Sequence, residues 1–365
     1  MNAIMQKVSQ GLDACPDQSI DPDVLKATDL DELDFEDIYI GENYSFFLNL
    51  ETSQHEKAPP LIGAPPGLNA VLPGIRDILN DRYTKTGKPS FFLDHGQRRY
   101  RVQAMNTVGG LVFDCRWVKQ PPRLTEIEGI PKMTLRTLQI YGSGGAGNVK
   151  VRPGLFLITG ETASGKTTLG LSIVAEFLTM YGRVAVSAEN PVEVIMQGRY
   201  GENGAGYFFQ HDISAMGGYA ATLEAAMRMT PRIVYIGEIR RTEEAILAVE
   251  ASLNGHIVIA TMHSNSIIGA IERLSFMTGN SELANNNLAS GLIGVTNQKL
   301  LRRQGQKGRQ IMMESLFFDE EPGPRSMIRT GQAYQLVSLI ENQKARIRLN
   351  QLPVFEGNGN TPRFG

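Results

Sequence analysis

The sequence predicts an α/β chain in which a small α+β domain precedes a larger domain built on a parallel sheet, and three observations predict it. From residue 155 onward, apolar runs of strand length alternate with helix-length stretches; this is the pattern of βαβ units, which require parallel strands. The first of these runs passes directly into a glycine-rich turn that opens a helix, Gly160-Glu161-Thr162-Ala163-Ser164-Gly165-Lys166-Thr167. Residues 37–117 lack that alternation and read as short strands around one helix. Together these features indicate a RecA-like P-loop domain behind a small α+β domain.

The elements follow in order. Residues 1–35 are acidic and weakly patterned; from Asp21 to Asp37, eight carboxylates face the single Lys26. Such a run is expected to be solvated, with partner docking as the alternative. Residues 36–120 form the first domain, with strands at Ile38–Ile40, Tyr44–Leu48, Ser90–Leu93, Arg99–Gln103 and Gly110–Cys115 and a helix over Leu72–Tyr83. The prolines of 58–66 suit neither a helix nor a central strand, so a loop is expected there. Residues 121–150 read as a linker, with Pro121-Pro122 as a hinge and Gly142-Ser-Gly-Gly-Ala-Gly147 as flexible punctuation. Residues 151–352 hold the P-loop domain: strands at Leu155–Thr159, Arg183–Ser187, Arg232–Ile236 and His256–Thr261, with helices at Lys166–Tyr181, Tyr219–Met229 and Thr242–Leu253. The Pro/Gly-rich residues 353–365 are expected to be a disordered tail.

Composition narrows the function classes. The 365 residues favour two domains, and 42% hydrophobic with 20% charged residues is an ordinary globular balance. A net charge of -2 and a pI of about 6.3 provide no overall basic field for nucleic acid or an anionic membrane surface. Two cysteines, Cys15 and Cys115, cannot build a disulfide framework or a four-cysteine zinc site. The start of the chain lacks the basic-then-apolar organisation of a signal peptide, so a cytoplasmic protein is expected. The uncharged stretch Ala251–Ile271 carries Asn, Ser, His and a mid-run glycine, which predict a buried strand and turn rather than a lipid-facing helix.

The glycine-rich turn satisfies G-x-x-x-x-G-K-[ST] between a strand and a helix, the context in which the pattern has physical meaning. Its glycines let backbone N–H groups wrap phosphate oxygens at the positive end of a helix. Gly160, Glu161, Thr162, Ala163, Ser164, Gly165, Lys166, Thr167 and Thr168 are thus the candidate nucleotide-binding residues, with Lys166 reaching the β- and γ-phosphates and Thr167 holding Mg²⁺. In an open α/β sheet the ligand lies beyond the carboxyl ends of the strands, so the polar residues there come next. Glu189 leaves its strand just before Pro191 and can take a proton from water. Glu238, in Ile236-Gly-Glu-Ile-Arg240, occupies the Walker B position and can bind Mg²⁺ through water or polarise the nucleophile. Spacing leaves open which of the two is the base. His263 leaves its strand with Thr261 and Asn265 on the edge of the phosphate loop and suits a γ-phosphate sensor, whereas His256 at the other end reads equally as structural.

Taken together, GETASGKTT, SAENPVEV, VYIGEIRR and NGHIVIATMHSNS resemble the secretion-traffic ATPases, the motors of type II secretion and type IV pili with their conjugation and effector-export relatives. The likeness continues through Gly294–Arg302 and Met313–Leu316, and upstream through Glu36–Ile40 and Arg99–Gln103. It implies a PAS-like amino-terminal domain, ATP and Mg²⁺ as cofactors, and a homo-hexamer that powers a secretion or pilus machine. Such a motor works at the cytoplasmic face of the inner membrane, held there by partner proteins, without direct nucleic-acid binding. It also implies a catalytic carboxylate at Glu189, a Walker B carboxylate at Glu238, a nucleotide sensor at His263 and arginine fingers among Arg101, Arg116 and Arg228.

The sequence departs from the family pattern at Asn190, His211, Glu224 and Arg241, which puts the identity of the fingers in question. Without a zinc-binding cysteine set it is most similar to the zinc-free branch, the PilT-like retraction motors and the DotB/TraJ-like ATPases of type IVB secretion and conjugation. Two other classes share the core: a nucleic-acid translocase, disfavoured by the near-neutral charge and single Trp117, and a P-loop kinase or nucleotide-gated scaffold.

Overall fold

The computed structural model describes residues 26–48, 50, 61–143, 152–302, 309–319 and 322–354. Residues 1–25 of the acidic segment, the first prolines of 58–66, the glycines of 144–147 and the tail beyond 354 lie outside the described residues. The chain divides into two compact units, one ending at Lys119 and the other starting at Gln120.

The first unit is an antiparallel sheet with one helix. Its elements are β1 (Asp37–Ile40), β2 (Ser45–Leu48), β3 (Leu61–Gly63), α1 (Leu72–Thr86), β4 (Ser90–His95), β5 (Arg98–Thr107) and β6 (Gly110–Trp117), in sheet order β3-β2-β1-β6-β5-β4. Alternation places Ile38, Phe47, Val102, Phe113 and Cys115 in one core with Ile75 and Leu79 of α1. The helix ends at Gly87, whose left-handed φ of 64° lets its N–H reach the Tyr83 carbonyl.

Two expectations are corrected here. Leu61–Gly63, between the proline pairs, is a strand rather than loop: it pairs with β2 at the sheet edge, where a neighbouring proline removes no ladder bond. The described end of the acidic run is not simply solvated. Asp29 caps a 3₁₀ turn at Leu30–Glu32, Asp31 pairs with Arg98, Asp34 with Lys119 and Asp37 with Arg116. The cations come from distant strands, which local composition cannot reveal.

The second unit begins with a correction to the expected linker. Residues 124–126 form a 3₁₀ turn and Lys132–Ser143 form α2, which packs on α3 (Lys166–Tyr181). Gln139 bonds Glu176 at 2.8 Å, the Tyr181 hydroxyl donates to Gln139 O at 2.7 Å, and Ser172 Oγ donates to Pro122 O at 2.7 Å. Burial of Leu138, Ile140 and Tyr141 secures α2, so residues 120–143 belong to this unit.

The remaining elements are β7 (Leu155–Gly160), β8 (Arg183–Ala188), β9 (Gly198–Tyr200), β10 (Gly206–Phe209), α4 (Ile213–Met216), α5 (Tyr219–Met227), β11 (Ile233–Ile239), α6 (Thr242–Leu253), β12 (Ile257–His263), α7 (Ile267–Met277), α8 (Glu282–Gly291), β13 (Leu292–Arg302), β14 (Arg309–Phe317), α9 (Pro322–Arg329) and α10 (Val337–Arg348). Among the described residues the sheet order is β14-β13-β7-β12-β11-β8-β10-β9. The six inner strands are parallel and the two edge pairs antiparallel. β7 is buried along its whole length, as an inner strand covered on both faces must be. The α/β class and the parallel sheet are those expected. Among the described residues no helix is long and apolar enough to cross a membrane.

Candidate active site

The phosphate loop is set by its neighbours in the sheet. Parallel register places Gly160 between His263 of β12 and Gln298 of β13. A Cβ at Gly160, where φ is 151°, would lie 2.4 Å from the Gln298 carbonyl oxygen, so only glycine fits. Ala163 and Gly165 also take left-handed φ, 60° and 84°, and Gly165 caps α3. Lys166 Nζ donates to the carbonyls of Gly160 at 3.0 Å and Glu161 at 2.6 Å, and burial lowers its pKa. Ser164 Oγ is buried and has no hydrogen-bond partner among the described residues. A glycine-rich loop at a helix N-terminus, with an orphaned hydroxyl and a lysine, fits a polyphosphate. Glu161, Thr162, Ala163 and Thr168 are exposed around it.

Beside the loop lies a cavity of about 190 Å³, bordered by Thr167, Glu189, Tyr219, Tyr235, Glu238 and Arg240 among others. The structure thus joins the loop threonine to both predicted carboxylates. Glu189 follows β8 and is 3% exposed. Its backbone is held by Glu189 N–H to His211 O and Ile213 N–H to Glu189 O, both 3.0 Å. Its Oε1 accepts from Ser187 Oγ at 2.7 Å and from Gln210 Nε2 at 3.0 Å. Among the described residues no salt bridge reaches it, and burial pushes the carboxyl up to about 7 despite those two bonds.

Glu238 is in a different state. Its Oε2 takes Arg240 Nε at 2.6 Å and Nη2 at 2.5 Å. Its Oε1 lies 2.9 Å from His263 Nε2 but makes no hydrogen bond of acceptable geometry, so a buried carboxylate oxygen is left for a further donor. Thr261 Oγ1 donates to Gly237 O at 2.5 Å, tying β12 to β11 beneath the pair. Thr167 and Glu238, both on the cavity, are oxygen ligands of the kind Mg²⁺ takes. His256 sits at the opposite end of β12 with Nδ1 2.8 Å from Pro231 O, a structural contact.

Of the predicted arginines, Arg101 and Arg116 lie in the first unit and Arg228 follows α5 in the second. Arg116 grips the buried Asp37 with two bonds, Nε–Oδ1 at 2.7 Å and Nη2–Oδ2 at 2.9 Å, which raise its pKa. Arg101 is its cross-strand neighbour on β5. Arg228 is exposed and paired with Glu224 at 2.8 Å. Sequence reading missed Arg240, Ser187, Gln210 and Tyr235. Ser187 had a signal, since residues two apart in an extended segment share a face, and Glu189 directly follows the strand that holds Ser187. Gln210 had none, being twenty-one residues away in sequence.

The chain matches the family of Type II/IV secretion system proteins over residues 76–333. It is 35% identical over 253 residues to the type IV pilus assembly ATPase PilB of Thermus thermophilus, covering 68% of this chain and 24% of that protein. It spans between 24% and 31% of the length of the first curated relatives it matches. Among solved structures it superposes on the pilus retraction motor PilT with bound ADP at a TM-score of 0.65 and 21% identity, covering 85% of this chain and 86% of that one. The Legionella pneumophila ATPase DotB gives 0.61 at 21% identity, covering 96% and 93%. At that identity the two structures establish a shared fold. The extent of the family match, over the phosphate loop and all three carboxylate and histidine strand ends, places this chain in the Type II/IV secretion system protein family.

Proposed function

We propose that the chain is an ATP-hydrolysing motor of a secretion or pilus machine. The observation that supports this reading is the meeting, at the carboxyl ends of β7, β8, β11 and β12, of a phosphate cradle with two carboxylates in different electrostatic states. ATP with Mg²⁺ supplies the scissile phosphoanhydride and a Lewis acid on its terminal phosphate. The loop amides of 160–167 hold the phosphates, and Lys166 exchanges the carbonyls of Gly160 and Glu161 for the β- and γ-phosphate oxygens. Thr167 and Glu238, which line the same cavity, would hold the metal. Glu189 takes the proton of the attacking water, a role suited to a carboxyl whose pKa lies near 7. His263, sharing Glu238, senses the terminal phosphate.

The finer reading is a homo-hexamer peripheral to the inner membrane, docked on platform proteins of a type IVB secretion, conjugation or pilus system, and not binding nucleic acid directly. Of the three candidate fingers, Arg228 has an exposed guanidinium able to serve a neighbouring protomer, Arg101 stands next to Arg116, and Arg116 would have to release Asp37.

Nucleotide binding and Mg²⁺-dependent turnover by purified protein test the proposal. Lys166→Ala is expected to lose ATP binding, and Glu238→Gln to bind ATP with turnover reduced by about 10²-fold or more. Light scattering with a non-hydrolysable analogue should give about six protomers. Wild-type protein without Mg²⁺-ATP turnover, or Lys166→Ala with normal turnover, would sink it.

A further inference from the structure

The environment of Glu189 is asymmetric at the level of single atoms. Ser187 and Gln210 both donate to Oε1, while Oε2 has no hydrogen bond among the described residues. Neither donor can turn away. Ser187 Oγ accepts the His211 N–H at 3.2 Å, which leaves its hydroxyl proton to point at Glu189. Gln210 is fully used: Nε2 also donates to Val194 O at 2.9 Å, and its Oε1 accepts the Met196 N–H at 2.5 Å. A flipped amide would set its oxygen against both Glu189 Oε1 and the Val194 carbonyl, so the network determines the orientation. One glutamine therefore fastens the carboxylate to the loop that follows it.

From this geometry we infer that Ser187 and Gln210 are positioning residues that reserve a single oxygen of Glu189, Oε2, for proton uptake. Protonating Oε1 would sacrifice one of two buried hydrogen bonds, whereas protonating Oε2 sacrifices none. A carboxyl free to rotate would present either oxygen to the nucleophile; a clamped one presents the same atom every cycle, which is what proton transfer in a fixed geometry requires. The inference rests on the reading of Glu189 as the base proposed above. Ser187 and Gln210 favour the ionised form, while Glu193 and Asp212 oppose it. Tyr219, Tyr235, Glu238 and Arg240 face Glu189 across the same cavity.

The test uses the full chain with two readouts. Without nucleotide, the infrared carbonyl stretch of protonated Glu189, identified as the band lost in Glu189→Gln, is titrated with pH. Ser187→Ala and Gln210→Leu are each expected to move its midpoint up by about half a unit to one unit, because each removes a bond to the charged form. Ser187→Thr should restore the wild-type midpoint. With Mg²⁺-ATP, both variants should lose about tenfold or more in kcat while KM stays within about twofold, and the acid limb of the rate profile should move with the infrared midpoint. Midpoints that stay put in both variants, a loss confined to KM, or failure of Ser187→Thr to restore the midpoint would overturn the inference. A wild-type protein that turns over no ATP would instead overturn the proposed function, leaving the infrared titration to decide the clamp.

Discussion

Asp37 in the amino-terminal sheet and Glu189 at the end of β8 are both withdrawn from water, at 0% and 3% exposure, yet their surroundings oppose each other. Asp37 meets a guanidinium through two parallel bonds, so its charge is matched atom for atom. Among the described residues the Glu189 carboxylate accepts from a hydroxyl and an amide, with further carboxylates nearby, and its pKa rises to about 7. A buried charge with a counterion fixes structure. A buried charge without one has a protonation state that small events can move, and that is the property a proton-transfer site needs.

The contrast breaks first at Glu189. Glu189→Gln keeps an oxygen for both donors and removes the titration, so turnover should fall by about 10²-fold or more while the fold gains stability at high pH. The carboxyl's pKa rises from its ordinary 4.5 to about 7 on folding. It therefore takes up protons as the chain folds, costs nothing below about pH 4.5, and penalises the fold increasingly from there up to about pH 7, above which the penalty levels off. Thermal unfolding of variant and wild type should nearly coincide at about pH 4 and diverge by about 3 kcal/mol in favour of the variant at about pH 8. A gap that does not grow with pH would mean that burial does not raise the Glu189 pKa.

Asp37→Asn should do the reverse, destabilising the protein by about 2–3 kcal/mol at pH 7. Arg116 is 41% exposed and can be partly rehydrated, which brings the loss to or just below the lower end of the range for broken buried pairs, about 3–5 kcal/mol. Denaturant unfolding checks it, and a change within about 0.5 kcal/mol would mean that the pair is ornamental. Tyr235→Phe sharpens the comparison for a neutral group. Among the described residues its buried hydroxyl has no hydrogen-bond partner, so its removal should stabilise by up to about 1 kcal/mol. A loss of stability would reveal a partner for it. Arg228→Ala should have the smallest effect on stability, below about 0.5 kcal/mol, because its pair with Glu224 is exposed. Its ATPase rate is the second readout: a rate unchanged within about twofold would remove Arg228 from the fingers.

Much of the larger unit was legible before any coordinates. The phosphate loop, the helix at Lys166–Tyr181 and the strands ending near Glu189, Glu238 and His263 stand where the alternation and the glycine spacing put them. Each is a local signal, written within one element and its flanking turn. Helix α2 was read as linker because its burying partners, Glu176, Tyr181 and Phe318, lie far along the chain. The acidic run at 29–37 was read as solvated for the same reason, its cations arriving from β5, from β6 and from Lys119 just beyond it.

By itself, the sequence determined which groups could do chemistry and at which strand ends they stand, because a motif and a hydrophobic period are both short-range properties. Only the tertiary structure decided what those groups are. It gave Asp37 a counterion and withheld one from Glu189, clamped one carboxylate oxygen through Gln210, and turned Arg240 rather than Arg228 toward the cavity. Charge state and orientation depend on desolvation and on neighbours across the sheet, and both exist only once distant segments have packed together.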